Sequence, residues 1–161
     1  GQAMEKLTAK DIMNREVLTV NAELSLQGLA EFLVQNSISG APVVSKDGKL
    51  IGVVSVTDII RHETLLEKGT QFNNRHDFYF HTVGNRFSHQ DLDSLHLGDE
   101  SLVTVKDIMT STILEVGEKD TVQQVADTMV KNRIHRVFVT REKEPIGIIS
   151  TADMLKIIRD L

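Results

Sequence analysis

The chain has no cysteine, no tryptophan and only two prolines, and none of its apolar runs is long. Without cysteine it can form no disulfide, no thiolate nucleophile and no sulfur-ligated zinc site, which fits a reducing compartment. No apolar run approaches the roughly 18 residues of a membrane-spanning helix, and no basic-then-apolar leader opens the chain. We therefore expect a cytoplasmic protein without a membrane partner.

Positive charge is also scarce. Eighteen Lys and Arg residues stand against 23 Asp and Glu residues, which gives a formal net charge of -5. A protein that binds the phosphate backbone of a nucleic acid needs a basic surface, so we expect no nucleic-acid partner. With 161 residues, of which 40% are hydrophobic, the chain has room for one globular domain or for two small halves that share a core.

Motifs of catalysis and of metal binding are missing as well. The sequence has no nucleophile elbow, phosphate loop, dinucleotide fingerprint or pair of carboxylates spaced for acid-base catalysis. Six histidines are present, but their gaps match no zinc-ligand spacing. We expect neither catalytic nor metal-ligating residues.

What the chain does contain is an internal repeat. Asp11-Ile12-Met13 recurs as Asp107-Ile108-Met109, and the spacing between matching residues holds through the segments that follow. After a deletion of one residue, the segment 52–58 recurs as 147–153. Duplication is the simplest cause, and self-similarity of this kind organises a whole fold.

Each copy predicts the same order of elements. Asp120 with Gln123 predicts a capping box at the first long helix of the second copy. Two short β-rich runs and a closing helix follow, and Asp47-Gly48 predicts a tight primed hairpin turn between the runs of the first copy. Apolar residues recur at the spacing of an amphipathic helix, at Leu26, Leu29, Ala30, Leu33 and Val34 and again at Val122, Val125, Ala126, Met129 and Val130.

These elements predict an α/β (α+β) fold of two β-α-β-β-α repeats. A repeat of about 50 residues buries too little surface to be stable alone, so we expect the two to pack sheet to sheet with pseudo-two-fold symmetry. We place the repeats at residues 7–62 and 103–161, with an inserted segment at 63–102. We expect its aromatic residues to dock on the repeats or on a second subunit; they are Phe72, Phe78, Tyr79, Phe80 and Phe87.

The string Gly-x-x-Ser-x-x-Asp stands in both repeats, at Gly52–Asp58 and Gly147–Asp153, where a strand turns into a helix. In one interpretation the serine caps the helix and the aspartate complements the positive end of the helix dipole. In another, the carboxylate accepts hydrogen bonds from the 2′,3′-diol of a ribose, and the glycine lets a ligand approach the backbone. The two interpretations are compatible, and spacing alone does not choose between them.

Together these motifs resemble a pair of cystathionine β-synthase (CBS) domains, an arrangement called a Bateman module. The resemblance rests on the two Asp-Ile-Met segments, on residues 36–43 and 132–139, and on the two Gly-x-x-Ser-x-x-Asp strings. It does not extend to the inserted segment. It implies two pseudo-symmetric clefts between paired sheets, each able to take an adenosine nucleotide, with AMP expected first and ADP, ATP, NAD and S-adenosylmethionine as alternatives.

The resemblance also implies which residues would bind that ligand. Asp58 and Asp153 would hold the ribose, and the hydroxyls of Ser55, Thr57 and Ser150 would lie near phosphate. An alanine replaces the threonine in the second repeat, so we expect that site to be weaker or differently selective. The adenine and its surroundings would involve Thr19, Val20, Ile38, Ser39, Gly40, Ala41 and Pro42 in the first repeat and Leu114, Val116, Ile134, His135, Arg136, Val137 and Phe138 in the second.

A basic cluster marks the second repeat. His135-Arg136 resembles the pair that meets phosphates in the gamma subunit of AMP-activated protein kinase, and a guanidinium can donate two parallel hydrogen bonds to phosphate. The equivalent Ser39-Gly40-Ala41 carries no charge. We therefore expect the phosphates of either nucleotide to lie closer to Arg133, His135 and Arg136 than to the first repeat. The alternative is that these side chains face solvent at a strand edge.

The sequence thus predicts a regulatory module that senses a small adenosyl ligand by population shift, with a protein partner or a second subunit reading the selected state. We expect a homodimer, the commonest symmetric assembly. Two other classes stay open. One is a structural or oligomerisation module whose clefts hold no physiological nucleotide, and the other is an enzyme that acts on the nucleotide.

Overall fold

The computed structural model describes residues 7–66 and 103–161. The aromatic residues of the inserted segment, which we expect to dock, lie outside this part of the chain. The first repeat contains α1 (Ala9–Ile12), β1 (Val20–Asn21), α2 (Leu26–Asn36), β2 (Gly40–Val44), β3 (Leu50–Ser55) and α3 (Val56–Leu66). The second contains α4 (Val105–Ile108), β4 (Glu115–Gly117), α5 (Val122–Asn132), β5 (Arg136–Arg141), β6 (Glu144–Ser150) and α6 (Thr151–Arg159).

Each repeat builds one three-stranded sheet, in the order β1-β2-β3 and β4-β5-β6. The first two strands of each sheet run parallel, with Val20 opposite Val43 and Val116 opposite Val139, because a helix carries the chain back between them. β5 and β6 are joined by a hairpin and pair antiparallel. The mixed α/β class and the β-α-β-β-α order are confirmed for both repeats.

The long helix α5 begins one residue later than its predicted cap. The Gln124 amide donates to Thr121 Oγ1 at 3.2 Å, and the Thr121 amide donates to Gln124 Oε1 at 2.8 Å. The predicted box of Asp120 and Gln123 is therefore wrong by one position. Asp120 caps the preceding turn instead, where its Oδ2 accepts a hydrogen bond from the Gly117 amide at 2.9 Å.

The two hairpins also differ from expectation. Residues 45–49 connect β2 and β3, and of these only Gly48 has a positive φ, 80°, whereas a type I′ turn needs two such residues. The tight turn is in the second repeat, where Glu142 (φ 51°) and Lys143 (φ 71°) are both left-handed. Sequence reasoning missed it because neither residue is glycine, asparagine or aspartate.

Within the described residues the chain divides into two compact units. The first-sheet unit comprises residues 19–46, 51–66 and 103–112, and the second-sheet unit comprises 7–18, 47–50 and 113–161. In the first-sheet unit, Val53 and Thr110 exchange two backbone hydrogen bonds of 2.9 and 2.8 Å. In the second-sheet unit, Asn14 and Ile148 do the same at 2.8 and 2.9 Å. Each unit thus contains the Asp-Ile-Met segment that the sequence assigns to the other repeat.

The glycine of each Gly-x-x-Ser-x-x-Asp string makes room for a methionine of these exchanged segments. A β-carbon at Gly52 would lie 2.6 Å from Met109 Sδ, and one at Gly147 would overlap the Met13 side chain. The interpretation that these glycines admit a ligand to the backbone is therefore corrected, because protein side chains fill the space beside them.

Each unit has its own hydrophobic core, and the closing helices contribute differently to it. In the first-sheet unit, Val56, Ile59 and Ile60 of α3 are buried with the apolar face of α2, and burial of each such side chain stabilises the fold by about 1.5–3 kcal/mol. α6 has no buried residue, and its Leu155 and Ile158 are 60% and 59% exposed. No helix among residues 7–66 and 103–161 is long and apolar enough to cross a bilayer.

Candidate functional site

The first Ser-x-x-Asp turn lies where β3 passes into α3. The amide and the hydroxyl of Ser55 both donate to Asp58 Oδ2, at 2.8 and 3.3 Å. Asp58 is buried, so protein donors replace much of the water that would otherwise stabilise its charge. The turn fixes one carboxylate oxygen and leaves the other, Oδ1, outside the cap.

The second turn, between β6 and α6, has the same geometry. The amide and the hydroxyl of Ser150 donate to Asp153 Oδ2 at 2.8 and 3.0 Å, and the Asp153 amide donates back to Ser150 Oγ at 3.2 Å. These contacts close a capping box in both directions. The interpretation that the serine caps the helix is therefore confirmed in the second repeat, and here too Oδ1 stays outside the cap.

Backbone hydrogen bonds fix the segments before β2 and β5 beside these turns. The Val56 amide donates to the Ser39 carbonyl at 2.9 Å, and the Thr151 amide donates to the His135 carbonyl at 2.9 Å. Ser39 and His135 are exposed. The structure thus brings together, within each unit, the residues that the sequence assigned to the start of the strand and to the start of the helix.

Arg136 lies across the sheet from the second turn. The β5–β6 register pairs Arg136 with Ser150, and the arginine is exposed. In the first repeat Gly40 stands beside Ser55, and a β-carbon there would lie 3.4 Å from Ser55 Cβ. Arg133, the third member of the basic cluster, ends α5 in a left-handed conformation with φ 54°. Of the two strands that flank the turns, β5 therefore brings a cation and β2 does not.

The residues predicted around the adenine divide into core and surface positions. Val20, Ala41, Val116 and Val137 belong to the hydrophobic cores of their units, and Pro42 is also buried. Packing of the fold therefore accounts for their apolar character. The half-buried and exposed positions, which keep side-chain or backbone surface, are Thr19, Ile38, Ser39, Gly40, Leu114, Ile134, His135, Arg136 and Phe138.

Two cations near the turns were missed in the sequence. Arg61 Nη1 donates to Asp58 Oδ1 at 3.1 Å, and Lys156 Nζ lies 4.0 Å from Asp153 Oδ1. Both pairs have the i, i+3 spacing that joins neighbours on a helix. This spacing could have predicted both pairs from the sequence. In each pair the cation lies nearest Oδ1, the carboxylate oxygen that accepts no hydrogen bond from the serine.

A groove in the second-sheet unit was also missed. It lies between α5 and α6, has a volume of about 530 Å³, and is lined by Val122, Ala126, Met129, Ile134, Met154 and Ile158 among others. Helical periodicity predicts an apolar face but cannot tell whether another element covers it. In the described part of the chain, no group of three or more His, Asp or Glu side chains is placed to hold a metal ion.

The family model of the CBS domain matches residues 9–64 and 105–160. An uncharacterized protein of Methanocaldococcus jannaschii is 29% identical over 157 residues, which cover 94% of this chain and 91% of the relative. The chain spans only 38% and 42% of the length of two further uncharacterized proteins of that organism.

Solved structures share the fold. CBSX2 in complex with AMP superposes with a TM-score of 0.63 at 22% identity, covering 95% of this chain and 96% of the other. A CBS domain pair in complex with 5′-methylthioadenosine and S-adenosyl-L-methionine superposes with a TM-score of 0.59 at 21% identity, covering 96% and 97%. Such identities concern the fold alone. The two family matches span more than half of the chain, and the protein belongs to the CBS domain family.

Proposed function

We propose that this chain is a regulatory module that binds an adenosine-type ligand, AMP foremost, at its two Ser-x-x-Asp turns. The observation that carries the proposal is the geometry that both repeats share. In each repeat a serine amide donates to the aspartate Oδ2 at 2.8 Å, and the second carboxylate oxygen, Oδ1, takes no part in this cap. Fold relatives that were solved with AMP and with 5′-methylthioadenosine and S-adenosyl-L-methionine support this ligand class.

In this proposal the ribose hydroxyls donate to Oδ1 of Asp58 or Asp153, since an ionised carboxylate can only accept hydrogen bonds. Ser55, Thr57 and Ser150 lie at helix starts, where backbone amides and the helix dipole favour phosphate. The face-to-face arrangement of the sheets that the family resemblance implies is part of the proposal.

Phosphate is proposed to lean toward the second repeat. Arg136 is exposed opposite Ser150, where its guanidinium can approach an anion at the start of α6. His135 stands next to it and its carbonyl is already joined to the same helix start. The first repeat has no cation on the corresponding strand, so the two sites differ in the charge that they offer.

Regulation follows if the ligand has unequal affinity for two conformations of the module. We propose that a protein partner or a second subunit reads the selected conformation, that the chain acts as a cytoplasmic homodimer, and that it performs no catalytic step itself. A longer polypeptide that contained this pair would place the regulated activity in its other domains.

Titration calorimetry with AMP, ADP, ATP, NAD and S-adenosylmethionine tests the proposal. We expect at least one of them, AMP first, to bind with a Kd well below about 1 mM, which corresponds to a binding free energy near -4.1 kcal/mol. Failure of all five to bind at millimolar concentration would contradict ligand sensing. ATP should be recovered unchanged by chromatography after long incubation, and product formation would favour an enzyme instead.

A structural or oligomerisation module is the second candidate, and the apolar groove between α5 and α6 favours it. Large exposed apolar patches on a protein surface commonly mark sites that contact another protein. If the chain self-associates through α6 while no adenosyl ligand binds, this function replaces ligand sensing.

A further inference from the structure

We propose that Arg61 competes with the ligand for Asp58, which weakens the binding of an uncharged adenosyl ligand at the first repeat. The inference rests on the proposed function, because it requires ribose hydroxyls to meet the helix-start carboxylates. It assigns a specificity-determining role to a residue that lies outside the Gly-x-x-Ser-x-x-Asp string.

Arg61 occupies the acceptor that the first turn leaves over. Asp58 Oδ2 accepts two hydrogen bonds from Ser55, at 2.8 and 3.3 Å, while Arg61 Nη1 donates to Oδ1 at 3.1 Å. The Asp58 side chain is 10% exposed. A diol therefore has little open carboxylate surface to approach unless the guanidinium moves away.

The second repeat has a lysine at the equivalent position. Lys156 Nζ lies 4.0 Å from Asp153 Oδ1, beyond hydrogen-bond distance, and the Asp153 side chain is 23% exposed. Among the described residues, the donors to this carboxylate are the amide and hydroxyl of Ser150, and both are at Oδ2. The two repeats thus differ at the one oxygen atom that the caps leave for a ligand.

The competition has a bounded size. Arg61 is 65% exposed, so it can move into solvent, and an ion pair of this exposure shifts an equilibrium by up to about fivefold. Salt screens such a pair, which weakens the competitor. A phosphorylated ligand offers the displaced guanidinium a new anion, so the penalty falls on adenosine more than on AMP.

Adenosine titrated into the Asp153→Asn variant reports on the first site. In that background we expect Arg61→Gln to tighten adenosine binding about two- to fivefold. Raising the salt concentration should tighten adenosine binding while Arg61 is present and should have no such effect in the Arg61→Gln variant. AMP binding should tighten less than adenosine binding.

The reciprocal substitution tests the idea at the second site. In the Asp58→Asn background, Lys156→Arg places a longer, planar donor opposite Asp153 and should weaken adenosine binding about two- to fivefold. The matched control is Lys156→Gln, which should change adenosine binding by less than about twofold because the lysine makes no hydrogen bond to Asp153.

An unchanged or weaker adenosine affinity after Arg61→Gln would overturn the competition, since Arg61 would then at most position Asp58. A missing salt effect would overturn it as well. If neither adenosine nor AMP binds any of the proteins, including the unsubstituted chain, the proposed function fails and the competition falls with it.

Discussion

At the scale of single residues, Asp58 and Asp153 combine two roles that substitution can separate. Each carboxylate caps a helix through Oδ2, and in the proposal each accepts ribose hydroxyls through Oδ1. Asparagine keeps one acceptor oxygen for the serine amide, but its Nδ2 cannot accept a hydrogen bond from a hydroxyl. Alanine removes both acceptors, so the two substitutions report on different roles.

We expect Asp58→Asn and Asp153→Asn each to weaken AMP binding at one site by about 1.5–3 kcal/mol, the scale of losing a hydrogen bond to a charged group. The corresponding alanine variants should also lose thermal stability, because they remove the carboxylate oxygen that accepts hydrogen bonds from the serine amide and hydroxyl. Calorimetry and thermal denaturation measure the two effects. Undiminished AMP affinity in both asparagine variants would show that the aspartates only cap their helices.

Arg136 carries a prediction about ligand charge. Because its guanidinium is exposed opposite the second turn, Arg136→Ala should weaken AMP binding more than adenosine binding, by about 1.5–3 kcal/mol for a hydrogen bond to a charged group. Calorimetry with the two ligands measures the difference. Equal losses for AMP and adenosine would refute a phosphate contact.

At the scale of elements, the pH dependence of stability reports how the end of β5 is joined to the β4–α5 connection. Arg141 Nε and Nη2 donate to the two carboxylate oxygens of Glu118 at 2.5 and 3.0 Å. These hydrogen bonds hold the pKa of Glu118 below its ordinary value of 4.5 and raise the pKa of Arg141. The stabilisation is thus present above the ordinary pKa of Glu118 and is lost as the pH falls through the lowered value.

We therefore expect acidification from about pH 6 to about pH 3 to lower the melting temperature of the parent more than that of Glu118→Gln. The variant lacks the carboxylate, so it has nothing to lose in this range at that position. Parallel melting curves of the two proteins across the series would show that the pair contributes nothing to stability.

Each Asp-Ile-Met segment packs on the sheet of the other repeat, within the same compact unit. A double-mutant cycle can measure the energy of this contact. Gly147→Ala should destabilise the fold by about 1–3 kcal/mol through overpacking, because the new β-carbon overlaps Met13. Shortening Met13 to alanine in the same chain should relieve part of this cost. Relief should be partial at Gly52 as well, where Met109→Ala leaves the Thr110 carbonyl oxygen 2.8 Å from the new β-carbon, just as Met13→Ala leaves the Met13 β-carbon 2.9 Å from the one at Gly147.

Chemical denaturation of the four proteins at each pair gives the coupling energy, expected at about 0.5–3 kcal/mol for residues in contact. Additive effects of Gly147→Ala and Met13→Ala would mean that the methionine and the glycine do not share the space between them.

Periodicity predicted the elements well because α2 and α5 each bury apolar residues in a core, and burial imposes the i, i+3, i+4 spacing, although Val130 of the predicted face of α5 is 76% exposed. The capping-box motif placed the start of α5 one residue early, because Asp120 and Thr121 are adjacent hydrogen-bond acceptors and spacing does not show which of them caps the helix. Periodicity could not predict the exchange of the Asp-Ile-Met segments. Matching residues show which segments are alike, not which sheet each one packs against.

The candidate site was predictable to a similar degree. The Ser-x-x-Asp geometry follows from local backbone rules, so both turns were found, and Arg136 was placed near one of them. Arg61 and Lys156 have the same spacing from their aspartates, yet they differ in reach by 0.9 Å. Side-chain conformation decides that difference, and a sequence pattern does not contain it.

At the scale of the whole molecule, the exposed face of α6 bears on the expected homodimer. Leu155 and Ile158 are exposed there, and Ile158 also lines the groove between α5 and α6. Such a face is stabilised when a second copy covers it. We expect light scattering to give the mass of a dimer, and Ile158→Asp to shift it toward the monomer. Ser111→Asp, an equal change of charge at an exposed residue of the first-sheet unit, is the control and should leave the mass unchanged.

Because the short helices α1 and α4 are exchanged, each compact unit contains segments of both repeats. A chain that ended after residue 66 would lack Thr110, which bonds Val53, and Val105, whose amide donates to the Leu24 carbonyl. We therefore expect neither repeat to complete its fold when it is expressed alone, although the sequence of each repeat contains every element of the unit. A substitution in either Asp-Ile-Met segment is accordingly expected to destabilise first the unit that contains the sheet of the other repeat.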